Sequence, residues 1–117
     1  MKVYNVTRNL CLAETAIMAD SFFSRLRGLL GKSGLPEGWC MVLKPCRSIH
    51  TMFMRFSLDV LFVDRQNRVV SMISDMPPFR FSGSVSQSYL VIEFPSGALL
   101  NTGTLPGDII QIGSQRL

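Results

Sequence analysis

The chain has 117 residues, of which 47% are hydrophobic and 17% are charged. This length suits one domain, and this composition is typical of a packed globule and not of a disordered chain. We therefore predict a single domain over residues 1–117. No apolar run approaches the roughly 20 residues of a membrane-spanning helix, and the first residues lack the apolar stretch of a secretory signal. These features predict a cytoplasmic protein without a membrane span.

Charge is unevenly distributed along the chain. Residues 1–58 hold eight Lys and Arg against three acids, a balance of +5, and residues 59–117 hold four against five, a balance of −1. A basic half is compatible with an anionic partner, but a solvated basic surface is the favoured interpretation. No segment forms a continuous basic run or interleaves aromatic with basic residues in the manner of a stacking platform, so the sequence argues against nucleic acid. We expect the partner to be a small molecule or a protein.

In chain order, the sequence predicts short strands and one helix. Apolar and β-branched runs bounded by turn residues favour strands at 3–6, 10–13, 40–44, 48–56, 60–63, 69–74, 88–94 and 109–112. Asp20 is a suitable N-cap, apolar residues follow it at helical spacing, and Gly31 is placed as the C-terminal stop. The expected fold is α+β, mostly β: a small curled sheet or partial barrel of about seven strands with one short helix packed on it.

The stretch from Cys46 to Phe56 carries the only histidine, His50. In an extended strand Cys46, His50 and Met54 share one face. Sulfur ligands beside an imidazole suit Cu(I), and Cys40 would add a thiolate for Zn(II). Gap-filling sulfur side chains in a core explain the same pattern, so the main expectation is no metal and no cofactor.

A catalytic interpretation of this stretch would use His50 as the base. Its partner would be Cys46 as a thiolate nucleophile, or Asp59 as an orienting acid. In a straight strand Cys46 and His50 lie too far apart for a hydrogen bond, so this arrangement requires a bend.

Two acids lie in strongly apolar surroundings, Asp59 before a run of branched residues and Glu93 within another. An acid in such a context either faces water at a strand edge or pairs with a base. The candidate bases are Arg25, Arg27, Arg47 and Arg55. An ion pair that fixes the docking of the helix is favoured over catalysis.

Several motifs together resemble one known family. They lie, in the family's order, at residues 24–31, 45–51, 54–64, 91–97 and 105–108. The chain is similar over residues 10–112 to domain of unknown function family 192, also called uncharacterised protein family 0127, and specifically to its leaderless bacterial members. Phe53 stands where the family often has glycine, and Ser57 where it often has proline.

The resemblance implies a compact β-rich fold with a short helix, and it implies no activity. The positions that match the family's motifs are Arg25, Arg27, Gly28, His50, Met54, Asp59, Glu93, Gly97 and Asp108. Three hypotheses remain open: a non-catalytic domain that binds a small ligand or a protein, a hydrolase or transferase using His50 with Asp59 or Cys46, and a soft-metal protein. The candidate functional residues are Arg25, Arg27, Cys46, His50, Met54, Asp59, Glu93 and Asp108.

Overall fold

The computed structural model describes residues 1–19 and 34–113. These residues form eight strands: β1 (Val3–Asn5), β2 (Leu10–Ala13), β3 (Thr15–Ala19), β4 (Trp39–Leu43), β5 (Leu58–Val63), β6 (Val69–Met76), β7 (Leu90–Pro95) and β8 (Ile110–Ile112). The strands make two sheets, of order β2-β1-β8 and β3-β4-β7-β5-β6. In the larger sheet β3 and β4 run parallel, and the other neighbours are antiparallel.

The two central strands of the larger sheet, β5 and β7, are buried on both faces. Their sequences are nearly continuous runs of Leu, Val, Ile and Phe, as expected for strands covered on both sides. One face packs against the smaller sheet, where Val3 and Ile110 meet Leu61 and Ile92 in a shared apolar cluster. This cluster joins the first and last strands of the chain to the larger sheet.

The opposite face of the larger sheet carries a second apolar cluster. Val60 and Phe62 of β5 pack there with Ile49 and Met54, which lie in the connection between β4 and β5. Burying such side chains stabilises each by about 1.5–3 kcal/mol. The second cluster therefore anchors the segment in which the sequence placed most of its candidate residues.

The structure corrects three expectations about the fold. The strands form two separate sheets and neither closes into a barrel, in contrast to the single curled sheet or partial barrel. The strand predicted at 48–56 is wrong, because only an isolated bridge between His50 and Phe81 forms there and Phe53 has a positive φ of 69°. β3 was not predicted.

The predicted helix from Asp20 to Gly31 lies outside the described residues. Within the part that is described, no helix has the length and apolarity to cross a membrane.

Candidate functional site

Asp59 is a buried acid whose hydrogen bonds go to the backbone. Its Oδ1 accepts a bond of 2.8 Å from the N–H of Asp75, and its Oδ2 accepts bonds of 3.1 and 3.0 Å from the N–H groups of Gly97 and Leu99. The donors belong to β6 and to the turn after β7. Asp59 therefore fastens three segments of the larger sheet together.

Asp108 is buried in the turn before β8 and connects this turn to β1. Its Oδ2 accepts bonds of 3.0 Å from Asn5 Nδ2, Arg8 Nε and the N–H of Leu105. Arg8 Nη2 also lies 3.3 Å from Oδ1, which makes the ion pair bidentate. Burial by itself raises the pKa of Asp108, but the bonds from Arg8, Asn5 and Leu105 outweigh it and hold the pKa below its usual value.

Glu93 and Asp59 lie on opposite faces of the larger sheet. Glu93 is paired with Val60, whereas Asp59 is paired with Phe94, and successive positions of a strand point to opposite faces. Glu93 is fully buried on the face that carries the second apolar cluster, and Met54 is buried in that cluster. The two acids therefore do not meet in one site. Arg25 and Arg27 lie outside the described residues.

His50 lies in a ribbon formed by two loops, residues 47–54 and 77–85, which we call the loop ribbon. Backbone hydrogen bonds join the loops, including one of 3.0 Å from Ser82 N–H to the carbonyl of Ile49 and one of 2.9 Å from Thr51 N–H to the carbonyl of Arg80. His50 Nδ1 accepts a bond of 3.3 Å from the N–H of Met52. This bond occupies Nδ1, which leaves Nε2 as the other polar atom of the ring.

A cleft of about 500 Å³ opens at the other end of the loop ribbon. It is lined by residues 45–47, 64–66, 68 and 86–89 and by Val70, so three segments distant in sequence meet there. Cys46 is half-buried in its wall and donates a bond of 3.1 Å to the carbonyl of Ser48. Of the residues that the sequence singled out as functional candidates, Cys46 is the one that the structure places in this cleft.

Three exposed arginines line the cleft, Arg47, Arg65 and Arg68. Among the described residues, the lining holds one acid, Asp64, so three positive charges less one leave a balance of +2. The Oδ1 of Asp64 accepts bonds of 2.9 Å from the N–H groups of Gln66 and Arg68, which hold the β5–β6 turn. The acid therefore shapes the turn that presents two of the arginines.

Within the described ranges, the cleft arginines form no ion pair with a carboxylate. Across residues 1–19 and 34–113, the ion pairs are Lys2 with Glu14 and Arg8 with Asp108. The guanidinium carbon of Arg65 lies 4.1 Å from the centre of the Tyr89 ring, a cation–π arrangement that orients Arg65 along the cleft wall. Guanidinium groups without carboxylate partners on a concave surface are suited to bind carboxylates or phosphates in a bidentate manner.

Metal ions in proteins are held most often by His, Cys, Asp and Glu side chains. In the described part of the chain, no three side chains of His, Cys, Asp or Glu lie close enough to hold a metal ion. Cys40 is buried in the apolar cluster between the two sheets, and its burial raises the pKa of the thiol to about 12. A thiol with this pKa is protonated at neutral pH and is a poor metal ligand.

Sequence reasoning did not select Arg65, Arg68 or Tyr89 as candidates. Arg65 and Arg68 lie between the predicted strands at 60–63 and 69–74, and a basic residue in such a connection is usually a solvated side chain. The signal that was present is that two arginines flank one tight turn. Their convergence with Arg47 depends on contacts between distant segments, which a pattern along the chain does not contain.

Comparison with known proteins identifies relatives that are similar over most of the chain. Residues 5–112 match the model of domain of unknown function family 192, described as uncharacterized ACR. A UPF0127 protein of Pyrococcus horikoshii is 32% identical over 100 residues, covering 81% of this chain and 84% of the relative. A UPF0127 protein of Pyrococcus furiosus is 26% identical over 112 residues, covering 92% of this chain and 94% of the relative.

A solved structure supports the same fold. The crystal structure of a protein of unknown function from Novosphingobium aromaticivorans superposes with a TM-score of 0.71 at 19% identity, covering 83% of this chain and 74% of that chain. The Pyrococcus relatives are archaeal, so the bacterial subtype inferred from the motifs is not supported by them. The family itself is confirmed by the match over residues 5–112. The chain therefore belongs to domain of unknown function family 192, the UPF0127 proteins.

Proposed function

We propose that the chain is a non-catalytic binding domain, acting in the cytoplasm, whose cleft takes a small molecule bearing a phosphate or carboxylate group. The observation that carries this proposal is the convergence of Arg47, Arg65 and Arg68 on one concave surface of about 500 Å³, without a carboxylate partner among the described residues. A volume of this size is in the range of small-molecule sites.

The polar groups around the arginines also suit a small anionic ligand. The cleft is lined by hydroxyl and amide side chains at residues 86–88 and by the Tyr89 ring. Hydroxyl and amide groups complete the hydrogen bonding of an oxyanion, while the ring offers an apolar surface to the rest of a ligand. These features distinguish the cleft from a solvated basic surface.

The local hydrogen bonds of the catalytic candidates favour binding over catalysis. Asp59 binds backbone N–H groups, Cys46 donates to the Ser48 carbonyl, and His50 accepts from Met52. These three bonds join each group to the main chain, and a role in positioning the backbone accounts for them, whereas nucleophilic catalysis needs a nucleophile and a base in mutual contact. No observation favours the hydrolase, transferase or soft-metal alternatives.

A titration monitored by amide NMR tests the proposal. Inorganic phosphate and pyrophosphate are added at constant ionic strength, with sodium chloride as the reference for screening. We expect saturable shifts confined to residues 45–47, 64–68 and 86–89. Arg65→Gln should weaken binding by about tenfold, the equivalent of one charge-assisted hydrogen bond.

The matched control is Lys2→Gln, which removes an exposed positive charge that is not part of the cleft lining. It should leave the phosphate affinity unchanged. Shifts that match those caused by sodium chloride, or an equal loss of affinity in both variants, would overturn the proposal, because general screening and not the cleft would then account for the response.

A further inference from the structure

The end of the loop ribbon opposite the cleft presents four aromatic rings, His50, Phe53, Phe79 and Phe81, which we call the aromatic tip. The Phe53 and Phe79 rings meet edge to face at 6.3 Å, and the His50 and Phe81 rings are tilted by 48° at 5.8 Å. The phenylalanine side chains are nonetheless 65%, 55% and 73% exposed, for Phe53, Phe79 and Phe81 in turn. Clustered exposed apolar rings mark an interaction surface.

The backbone beneath the tip is held in an unfavourable conformation. Phe53 and Phe79 have φ values of 69° and 61°, in the left-handed region that bulky residues avoid. Because both rings are largely exposed, burial in the core does not offset this strain. Strained residues that are fixed by their surroundings occur at ligand clamps and binding sites.

Thr51 fixes the strained conformation. This residue is fully buried, and its Oγ1 donates a bond of 2.6 Å to the carbonyl of Pro77 and accepts one of 2.9 Å from the N–H of Arg80. The N–H of Phe79 donates a bond of 2.9 Å to the Thr51 carbonyl. The tip is therefore a preformed surface, which lowers the entropic cost of binding.

The two segments that carry the tip hold formal charge of one sign. Residues 44–58 and 76–92 contain no Asp or Glu. Arg55 and Arg80, both exposed, lie within two residues of Phe53, Phe79 and Phe81 in the sequence. An apolar projection flanked by cations is complementary to an anionic surface with an apolar interior.

We propose that the aromatic tip docks the domain peripherally on an anionic lipid bilayer. Phe53, Phe79 and Phe81 enter the boundary between headgroups and acyl chains, while Arg55 and Arg80 bind lipid phosphates. Single-stranded nucleic acid is a poorer match. Stacking platforms need open ring faces, whereas the rings of the tip partly cover one another in edge-to-face and tilted pairs.

Flotation with lipid vesicles tests this proposal independently of the cleft. The full chain is mixed with vesicles of phosphatidylcholine alone or of phosphatidylcholine with phosphatidylglycerol. We expect binding to the anionic vesicles that weakens as salt is added. The double variant Phe53→Asn/Phe79→Asn should reduce this binding by about tenfold or more, since each ring loses its insertion into the apolar layer.

Asparagine is chosen because it tolerates positive φ, so the loop backbone is retained. The control Leu100→Ser/Leu105→Ser removes two apolar side chains that are 72% and 54% exposed elsewhere on the surface, and it should bind as the parent does. A second variant, Arg55→Gln/Arg80→Gln, should lose affinity for anionic vesicles while leaving the rings in place.

Other outcomes would overturn the proposal. These are absence of binding to the anionic vesicles, equal binding to both lipid compositions, or equal losses in the phenylalanine and leucine variants. Binding of a single-stranded oligonucleotide that depends on Phe53 and Phe79, without vesicle binding, would assign the tip to nucleic acid. Self-association that the phenylalanine variant abolishes, again without vesicle binding, would assign it to a second copy of the chain.

Discussion

The Oδ2 atom of Asp59 lies 3.0 Å from the backbone nitrogen of Leu99, whose N–H donates to it, in a buried environment. The N–H of Gly97 reaches the same oxygen at 3.1 Å. The first residues of the turn after β7 are thereby held against β5, and Oδ1 holds Asp75 of β6 in the same way. One side chain thus satisfies three backbone donors that no strand pairing serves.

Asp59→Asn should destabilise the domain by about 2–4 kcal/mol. An amide has one acceptor oxygen where the carboxyl group has two, and its NH₂ group would face a backbone donor. The free energy of unfolding is measured by chemical denaturation. Glu37→Gln makes the same chemical change at an exposed position and should have little effect. Equal stability of both variants would show that the Asp59 bonds contribute nothing net.

The Arg8–Asp108 pair predicts how stability depends on pH. The folded-state pKa of Asp108 is lowered, so the unfolded chain binds the proton more tightly. The contribution of Asp108 is then fully present above the unfolded pKa of about 3.9 and is lost as the pH falls through the folded value. Asp108→Asn should cost about 2–3 kcal/mol at pH 7, because the charge-assisted bonds are weakened.

The test compares denaturation of Asp108→Asn and the parent between neutral and acidic pH. The difference in the free energy of unfolding should stay constant at neutral pH and narrow as the pH falls below about 4, because the unfolded parent chain then binds a proton at Asp108 that the folded parent binds only at lower pH. A gap that widens on acidification would contradict the lowered pKa of Asp108.

Prediction from sequence worked best where local pattern and tertiary burial agree. β2 was predicted with its observed bounds, and β5 and β7 within a few residues, because unbroken branched runs form strands that are covered on both faces. β3 was missed, since it follows β2 almost directly and owes its existence to parallel pairing with β4, a contact between distant segments. The hydrogen bonds of Asp59 could not be predicted for a similar reason. Their donors are backbone N–H groups, which any residue type except proline supplies, so the sequence contains no pattern that marks them.

The segment around His50 shows that an alternating sequence pattern does not by itself establish a strand. Residues 48–56 alternate as a strand would, but their hydrogen bonds go to the loop at 77–85 and the chain turns at Phe53. Phe53 lies in one loop and Phe79 in the other, and folding brings the two rings into edge-to-face contact. The aromatic tip is therefore a property of the paired loops and not of either sequence.

The three cysteines should differ in reactivity. Cys40 is buried with a pKa of about 12, whereas Cys11 is exposed and Cys46 is half-buried. At pH 8 a thiol of this pKa is ionised to about one part in ten thousand, and only the thiolate attacks disulfides. Ellman's reagent should therefore titrate Cys11 and Cys46 in the folded protein and Cys40 only after denaturation. Rapid reaction of all three would show that the cluster between the sheets opens easily.

The strain at Phe53 predicts a substitution that stabilises the protein. Phe53→Asn places a residue that tolerates positive φ where φ is 69°, and the ring that is lost is 65% exposed. The free energy gained by relieving the backbone strain should exceed the free energy lost with the contact to Phe79. We therefore expect a gain of about 0.5–1 kcal/mol in the free energy of unfolding.

Phe81→Asn is the matched control, since Phe81 is more exposed and is not among the residues with positive φ. It should leave stability within about 0.5 kcal/mol of the parent. A loss of stability confined to Phe53→Asn would mean that the edge-to-face pair with Phe79 outweighs the strain. The parent chain would then retain Phe53 for packing, and the strain at this position would no longer indicate a binding role.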